Sequence, residues 1–251
     1  MDLNIPDTRQ RILGERLGNG REVVAVEVAA EFGVSVDTIR RDILALEAAG
    51  LAHRVRGGAV PVAVPSSPLL SRMASGERIS PALVAAAVER IGTAATILAD
   101  GGVTVLSVIS KLPKQEGRLV VTPSPWVAVA CHERGIEVFL LGGRLNPSGG
   151  IATGDPAVLA AARISADVAL LGACGLEAEF GLSSDEFEEA QVMLAMHRAS
   201  RRSFVVTDGS KIGRRARHGT LAIDEIDLVI TDAEEALTRP LVQAGTEVIG
   251  V

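Results

Sequence analysis

Cysteine is scarce in this 251-residue chain, and lysine is missing altogether from its first sixty residues. Two cysteines, Cys131 and Cys174, are too few for a disulfide framework. Both sit in apolar or glycine-flanked stretches suited to small buried side chains, so a reducing cytoplasm is expected. No uninterrupted apolar stretch is long enough for a membrane helix, and residues 1–10 are too acidic and polar for the apolar centre of a signal peptide. The expectation is a soluble protein that is not exported and has no membrane partner. Metal-ligand spacing is missing as well. His197 and His218 lie far apart, and Glu177, Glu179, Asp185, Glu186, Glu188 and Glu189 lack the fixed order of a calcium loop, so they read as a solvated surface loop or a lid against a neighbouring subunit. No metal, cofactor or catalytic residue is expected.

What is present is 47% hydrophobic content, ample for the cores of one large or two ordinary domains. The net charge of -6 gives no support to a partner recognised through its phosphates, and residues 1–60 hold eight arginines against nine acidic residues. Placement matters more than the total. Arg40, Arg41, Arg54 and Arg56 fall in one short stretch opposed only by Asp42 and Glu47, a modest basic footprint suited to a module that works in pairs.

Helical periodicity over 9–17 is ended by Gly18-Asn19-Gly20, and a second short helix over 26–32 is closed by Gly33. Ser35 then stands as an N-cap before Ile39, Ile43 and Leu46, which share one face of a third helix. Two helices around a tight glycine turn make a helix-turn-helix, with Thr38, Arg40 and Arg41 turned away from the core toward a DNA major groove. Past Gly50, apolar and basic residues alternate through Arg54 and Arg56 to Gly57 and Gly58, as in a β-wing lying along a phosphate backbone. Candidate DNA contacts are therefore Ser35, Val36, Thr38, Arg40, Arg41, Arg54, Arg56, Gly57 and Gly58.

The run Val34-Ser35-Val36-Asp37-Thr38-Ile39-Arg40-Arg41-Asp42-Ile43, followed by Leu46-Glu47, Gly50-Leu51 and the wing over 54–59, resembles the helix-turn-helix signature of the DeoR family of bacterial regulators. That resemblance implies a winged helix-turn-helix over 1–60, an effector domain over 81–251 with a fold similar to ribose-phosphate isomerases, and a phosphorylated sugar or sugar derivative as effector. It also implies repression of sugar or carbohydrate genes, released by that ligand. Residues 61–80, rich in proline and serine, read as a linker. Double-stranded operator DNA is the expected partner, with a homodimer or homotetramer as the expected assembly.

From 81 onward helical patterns alternate with short β-rich runs at 96–99, 119–121, 137–141, 168–171, 204–207, 228–231 and 247–251, the pattern of a mostly parallel, doubly wound α/β domain. Ligands in such sheets bind beyond the carboxyl ends of the strands. Those ends carry Asp100, Gly101, Gly102 and Thr104; Thr122 and Ser124; Gly142 and Gly143; Gly172 and Gly175; Asp208 and Lys211, which are the candidate effector contacts. Leu140 to Gly143, Gly154-Asp155, Gly181-Leu182 and Glu189-Ala190 look like further landmarks of the DeoR effector domain.

The chain departs from that family in four places. Val103 replaces a hydroxyl residue, Gly101 a small polar one, Pro123 an asparagine and Met193 a lysine. Each change costs a phosphate a partner, so altered or absent phosphate recognition is expected, with Lys211, Arg214, Arg215 and Arg217 as substitute cations or as an exposed basic loop. The rival reading is a sugar-phosphate isomerase or deaminase with an appended DNA-binding domain. It requires a general base and a cation, and no compact acid-base pair is visible in the sequence.

Overall fold

The computed structural model describes residues 5–18, 21–61, 67–76 and 79–251. Asn19 and Gly20 of the expected first helix stop, and Pro65 and Ser66 of the expected linker, lie outside them. Helix α1 (Pro6–Gly18) buries Leu13 and Leu17 against α2 (Ala25–Phe32) and α3 (Val36–Ala48), while β1 (Val23–Val24), β3 (Gly58–Pro61) and β2 (Ala52–Val55) form a small antiparallel sheet in that order. Helix α3 starts where its cap predicts. The Thr38 N–H donates to Ser35 Oγ at 3.1 Å, satisfying an amide that the first turn leaves open. Ser35→Ala is expected to lower stability by about 1 kcal/mol, measured by urea unfolding; an unchanged midpoint contradicts a capping role.

One charge counted as opposing the basic footprint is not at the surface. Asp42 is buried in the face of α3 that meets α1, where Arg9 Nε donates to Asp42 Oδ2 at 2.7 Å and Gln10 Nε2 to Oδ1 at 3.1 Å. Of the opposing pair only Glu47 remains exposed.

Within the expected linker, Leu69–Ala74 forms α4. Leu69 is buried, and its N–H donates to Ser148 O at 2.9 Å. This short helix escaped notice because Leu70 and Met73 are exposed, so no apolar period marks it.

The larger unit holds α5 (Pro81–Ile91), β4 (Thr96–Ala99), α6 (Val103–Ile109), β5 (Leu119–Thr122), α7 (Pro125–Glu133), β6 (Glu137–Leu140), β7 (Arg144–Leu145), β8 (Ala152–Thr153), α8 (Asp155–Ala161), β9 (Ala166–Leu171), β10 (Gly175–Glu177), β11 (Gly181–Ser184), α9 (Phe187–Arg198), β12 (Ser200–Thr207), β13 (His218–Leu221), β14 (Leu228–Thr231), α10 (Glu235–Gln243) and β15 (Glu247–Gly250). The seven runs expected from the sequence are the seven strands of one all-parallel sheet, ordered β15-β14-β12-β9-β4-β5-β6. Alternate residues feed two cores. Ile97, Val120, Phe204 and Val206 pack with α5, α6 and α7, whereas Leu98, Val121, Val205 and Val229 pack with α8, α9 and α10. The inner strands, buried on both faces, are near-continuous apolar runs, which made them legible.

The order of strands places the site. From β4 the chain moves through β5 and β6 to one edge, then returns to β9 and builds toward the other edge. That reversal opens a crevice between the carboxyl ends of β4 and β9.

Candidate DNA-binding surface and effector crevice

On α3 the buried stripe of Ile39, Asp42, Ile43 and Leu46 leaves Asp37, Arg40, Arg41 and Leu44 at the surface. Arg40 and Leu44 face the wing across a groove whose other wall is Arg54, Val55, Arg56 and Gly57. The hairpin turns at Arg56 and Gly57, where φ is +92°, a conformation that suits glycine. Gly58 serves a different purpose. A Cβ there would lie 1.9 Å from Val23 O, so the missing side chain is what lets β1 pair with β3. Arg40 Nη1 meets Asp37 Oδ1 at 3.0 Å and Arg54 Nε meets Glu47 Oε2 at 3.4 Å, both exposed. Arg41 and Arg56 make no ion pair among the described residues. Val36 is half-buried against the domain core, and Thr38 Oγ1 lies 2.8 Å from Ser35 Oγ. Exposed Leu44 was missed by sequence reading, although its break from the 39, 43, 46 stripe signalled it; an apolar side chain there can meet a thymine methyl.

The crevice, about 70 Å³, is walled by Asp100, Gly101, Gly102, Val103 and Thr104 after β4, and by Gly172, Ala173 and Cys174 after β9. Glu189 and Met193, one turn apart on α9, form another wall, and Arg72 of α4 reaches in from outside the sheet. Asp100 Oδ2 accepts the Gly172 N–H at 3.2 Å, and Glu189 Oε1 accepts the Gly149 N–H at 3.0 Å. Gly101 tolerates no side chain in this arrangement, since a Cβ would sit 2.3 Å from Ile151 Cγ2.

Burial pushes the Asp100 carboxyl up to about 6, against the pull of the Gly101 and Gly172 amides and of Arg72. Burial also raises Glu189, to about 7, helped by the negative charges of Asp100, Glu186 and Asp185 and opposed by the Gly149 amide. The expectation of a solvated acidic loop is therefore corrected: Glu177, Asp185 and Glu189 are all buried. Asp100 and Glu189 line the same crevice, a proximity of two carboxyls that was not visible in the sequence. Both folded values lie above the unfolded values near about 4, so the folded state binds more protons between them. Stability is expected to be greatest at the acid end and to fall as pH rises from about 4 to about 7, with Glu189→Gln flattening the decline. Thermal unfolding against pH tests this; a midpoint that climbs toward pH 7 in wild type contradicts it.

Comparison with known proteins agrees with this two-part geometry. Residues 9–63 match the DeoR-like helix-turn-helix domain, and residues 81–233 match the DeoR C terminal sensor domain. The chain belongs to the DeoR family. It is a DNA-binding transcriptional regulator. A relative in Haloferax volcanii, the HTH-type transcriptional regulator GlpR, is 32% identical over 230 residues, covering 91% of this chain and 90% of its own. The putative aga operon transcriptional repressor of Escherichia coli O157:H7 is 30% identical over 253 residues, 97% and 93% of the two chains. The glycerol-3-phosphate regulon repressor of Escherichia coli K12 is 28% identical over 209 residues, 82% and 83%.

Not every expected contact lies at the crevice of this DeoR-family chain. Asp100, Gly101, Gly102, Thr104 and Gly172 line it. Thr122 and Ser124 are buried, Thr122 Oγ1 accepting the Ser124 N–H and Ser124 Oγ capping α7. Exposed Gly142 and Gly143 lead into β7, and Gly175 opens β10 against Arg214 O. Asp208 accepts the Ser210 N–H, closing the turn that carries Lys211, and neither lines the crevice. Arg215 is engaged elsewhere, 3.2 Å from Glu177 Oε2 and stacked on Phe180. Strand ends at the reversal build the site; those after β5, β6 and β12 are built into turns.

Proposed function

We propose that this DeoR-family regulator is an effector-released repressor of carbohydrate genes, acting in the cytoplasm as a homo-oligomer whose paired α3 helices and wings hold operator DNA. The observation that carries it is the groove between α3 and the wing, bordered by Arg40, Arg54 and Arg56, with exposed Arg41 next in sequence to Arg40 and in no ion pair among the described residues. Arg41 and Arg56 are assigned to bases or phosphates, and Ser35 and Thr38 to the helix start that faces the backbone. Working units of 1–60, 61–80 and 81–251 suit this division of labour. The names of the relatives, two of them operon or regulon repressors, favour repression and sugar-derived effectors.

Control is by linkage: an effector changes DNA affinity by the ratio of its own affinities for the free and DNA-bound forms. Helix α4 gives that coupling a route. It follows the wing strand β3 in the chain, anchors Leu69 to Ser148 and places Arg72 in the crevice. A ligand touching Arg72 thereby acts on the segment leading to the DNA-binding domain.

The enzyme reading gains from the paired carboxylates, but an isomerase needs a cation where oxyanion charge develops. Arg72 is the crevice's cation among the described residues, but the relatives matched over most of their length are named as transcriptional regulators, so we assign no turnover. The test is selection of duplexes from genomic fragments by the full chain, then anisotropy titration with a sugar panel. Selection of a defined site released by one compound, recovered unchanged by NMR, supports repression; binding without sequence preference, or conversion of the compound, contradicts it.

A further inference from the structure

Strand β6 forms one edge of the parallel sheet, and among the described residues no strand or bridge pairs with its outer side. Its pairing with β5 fixes which backbone groups are left over. The Leu141 N–H donates to Thr122 O at 2.8 Å and Phe139 stands in register with Val121, so Glu137, Phe139 and Leu141 turn their backbone groups toward β5. Alternation along the strand then directs the N–H and C=O of Val138 and Leu140 away from the sheet. Soluble proteins ordinarily blunt such an edge with charge, proline or a bulge. The opposite edge follows that rule, since in β15 Glu247 pairs with Arg90 while Val248 and Ile249 are half-buried. In β6 the protection is missing. Beyond Glu137 it carries only Val138, Phe139 and Leu140, its register with β5 is unbroken, and Phe139 and Leu140 are 52% and 47% exposed. Neighbours on a strand point to opposite faces, so these two bare apolar surface on both sides of the sheet. A helix or small molecule laid on one face would cover only one of them; a further strand alongside shields both and takes up the outward donors and acceptors.

We propose that this strand is β6 of a second copy of the chain, paired antiparallel about a two-fold axis through Phe139. In that register Val138 exchanges both backbone hydrogen bonds with the second copy's Leu140, and Leu140 with its Val138. Phe139 then faces its own counterpart as a non-hydrogen-bonded pair with Cα atoms about 4.5 Å apart, where the two rings meet. A register one residue off sets outward groups against groups already engaged by β5, and an axis through Glu137 opposes two carboxylates. A standard interface covers about 800 Å² of each partner, more than one short strand offers. Exposed Leu145 of β7 and Leu159 of α8, on elements that follow β6 in the chain, enlarge the apolar surface. The pairing supplies the two DNA-binding domains of the proposed repressor; its biological use rests on that reading, its geometry does not.

Sedimentation equilibrium of the full chain tests this, with anisotropy on a selected duplex as the separate readout of DNA recognition. Wild type is expected to be a dimer or an even multiple of one. Phe139→Glu, which opposes two carboxylates at the axis, should raise the dimer dissociation constant by roughly tenfold or more. Leu140→Pro removes an outward N–H without touching the bonds to β5 and should also weaken the dimer, circular dichroism showing that both variants fold. In a Cys174→Ala background, which leaves only buried Cys131, Phe139→Cys should yield a disulfide-linked dimer on mild oxidation, because the paired Cα separation lies in the disulfide range. Arg41→Ala should remain a dimer. A monomeric wild type, or a dimer that Phe139→Glu leaves unchanged and Phe139→Cys does not cross-link, overturns the pairing even if the duplex is still bound. A cross-linked dimer without sequence preference for DNA upholds the pairing and overturns the repressor reading.

Discussion

Arg41→Ala is expected to bind a selected operator more weakly than wild type by about 1–3 kcal/mol, roughly 5- to 150-fold. Its position explains the size. Arg41 stands at the surface of α3 next to Asp42, which points inward, and among the described residues no carboxylate pairs with the guanidinium. In the proposed complex its donors therefore go to the duplex, and losing it is expected to leave the fold intact. Arg40→Ala should cost less, because Arg40 is paired with Asp37 on its own helix and must release that exposed contact, a matter of about 0–1 kcal/mol. Anisotropy titration of both variants on one duplex gives the ranking, with urea unfolding to show unchanged stability. Equal affinities for wild type and Arg41→Ala contradict the assignment.

Asp42→Ala is expected to destabilise the N-terminal domain by about 3–5 kcal/mol, enough to unfold much of it. Arg9 and Asp42 are 4% and 2% exposed and joined by two contacts, Nε to Oδ2 at 2.7 Å and Nη2 to Oδ1 at 3.3 Å. Removing the carboxylate takes both of these bonds from a guanidinium buried between α1 and α3. Asp42→Asn, which keeps an acceptor, should lose less, and pairing Asp42→Ala with Arg9→Met should recover part of the loss. Denaturant unfolding of the three variants decides it. A single Asp42→Ala change within about 0.5 kcal/mol of wild type contradicts a structural role for the pair.

Asp42 also illustrates what a linear sequence conceals. Beside Arg40 and Arg41 it reads as one more surface charge, and only its four-residue offset from Leu46, on the apolar stripe, hints that it turns inward. The parallel sheet was legible because both faces of its inner strands are buried and little else produces such runs. The small sheet β10-β11-β13 was not: its strands are three or four residues long, and Ser183 and Ser184 occupy buried positions with their hydroxyls engaged by Gly175 O and Thr220. At the crevice, Asp100 and Gly172 were readable as strand ends at the sheet's reversal. Glu189 was visible as a landmark but was taken for a solvated charge, since burial of a carboxylate depends on what packs over it. Arg72 gave no local signal, because docking of α4 beside Ser148 is what brings it to the crevice.

The most direct measurement is the salt dependence of affinity for one selected duplex, for wild type and for the Arg41→Ala/Arg56→Ala variant. Each arginine that neutralises a phosphate releases counterions, so the wild-type logarithmic plot should fall steeply. The double variant, folded by circular dichroism, should show a slope shallower by roughly one for each arginine removed per engaged domain. Parallel plots for the two proteins would mean that neither cation meets the duplex and that α3 with its wing does not hold DNA.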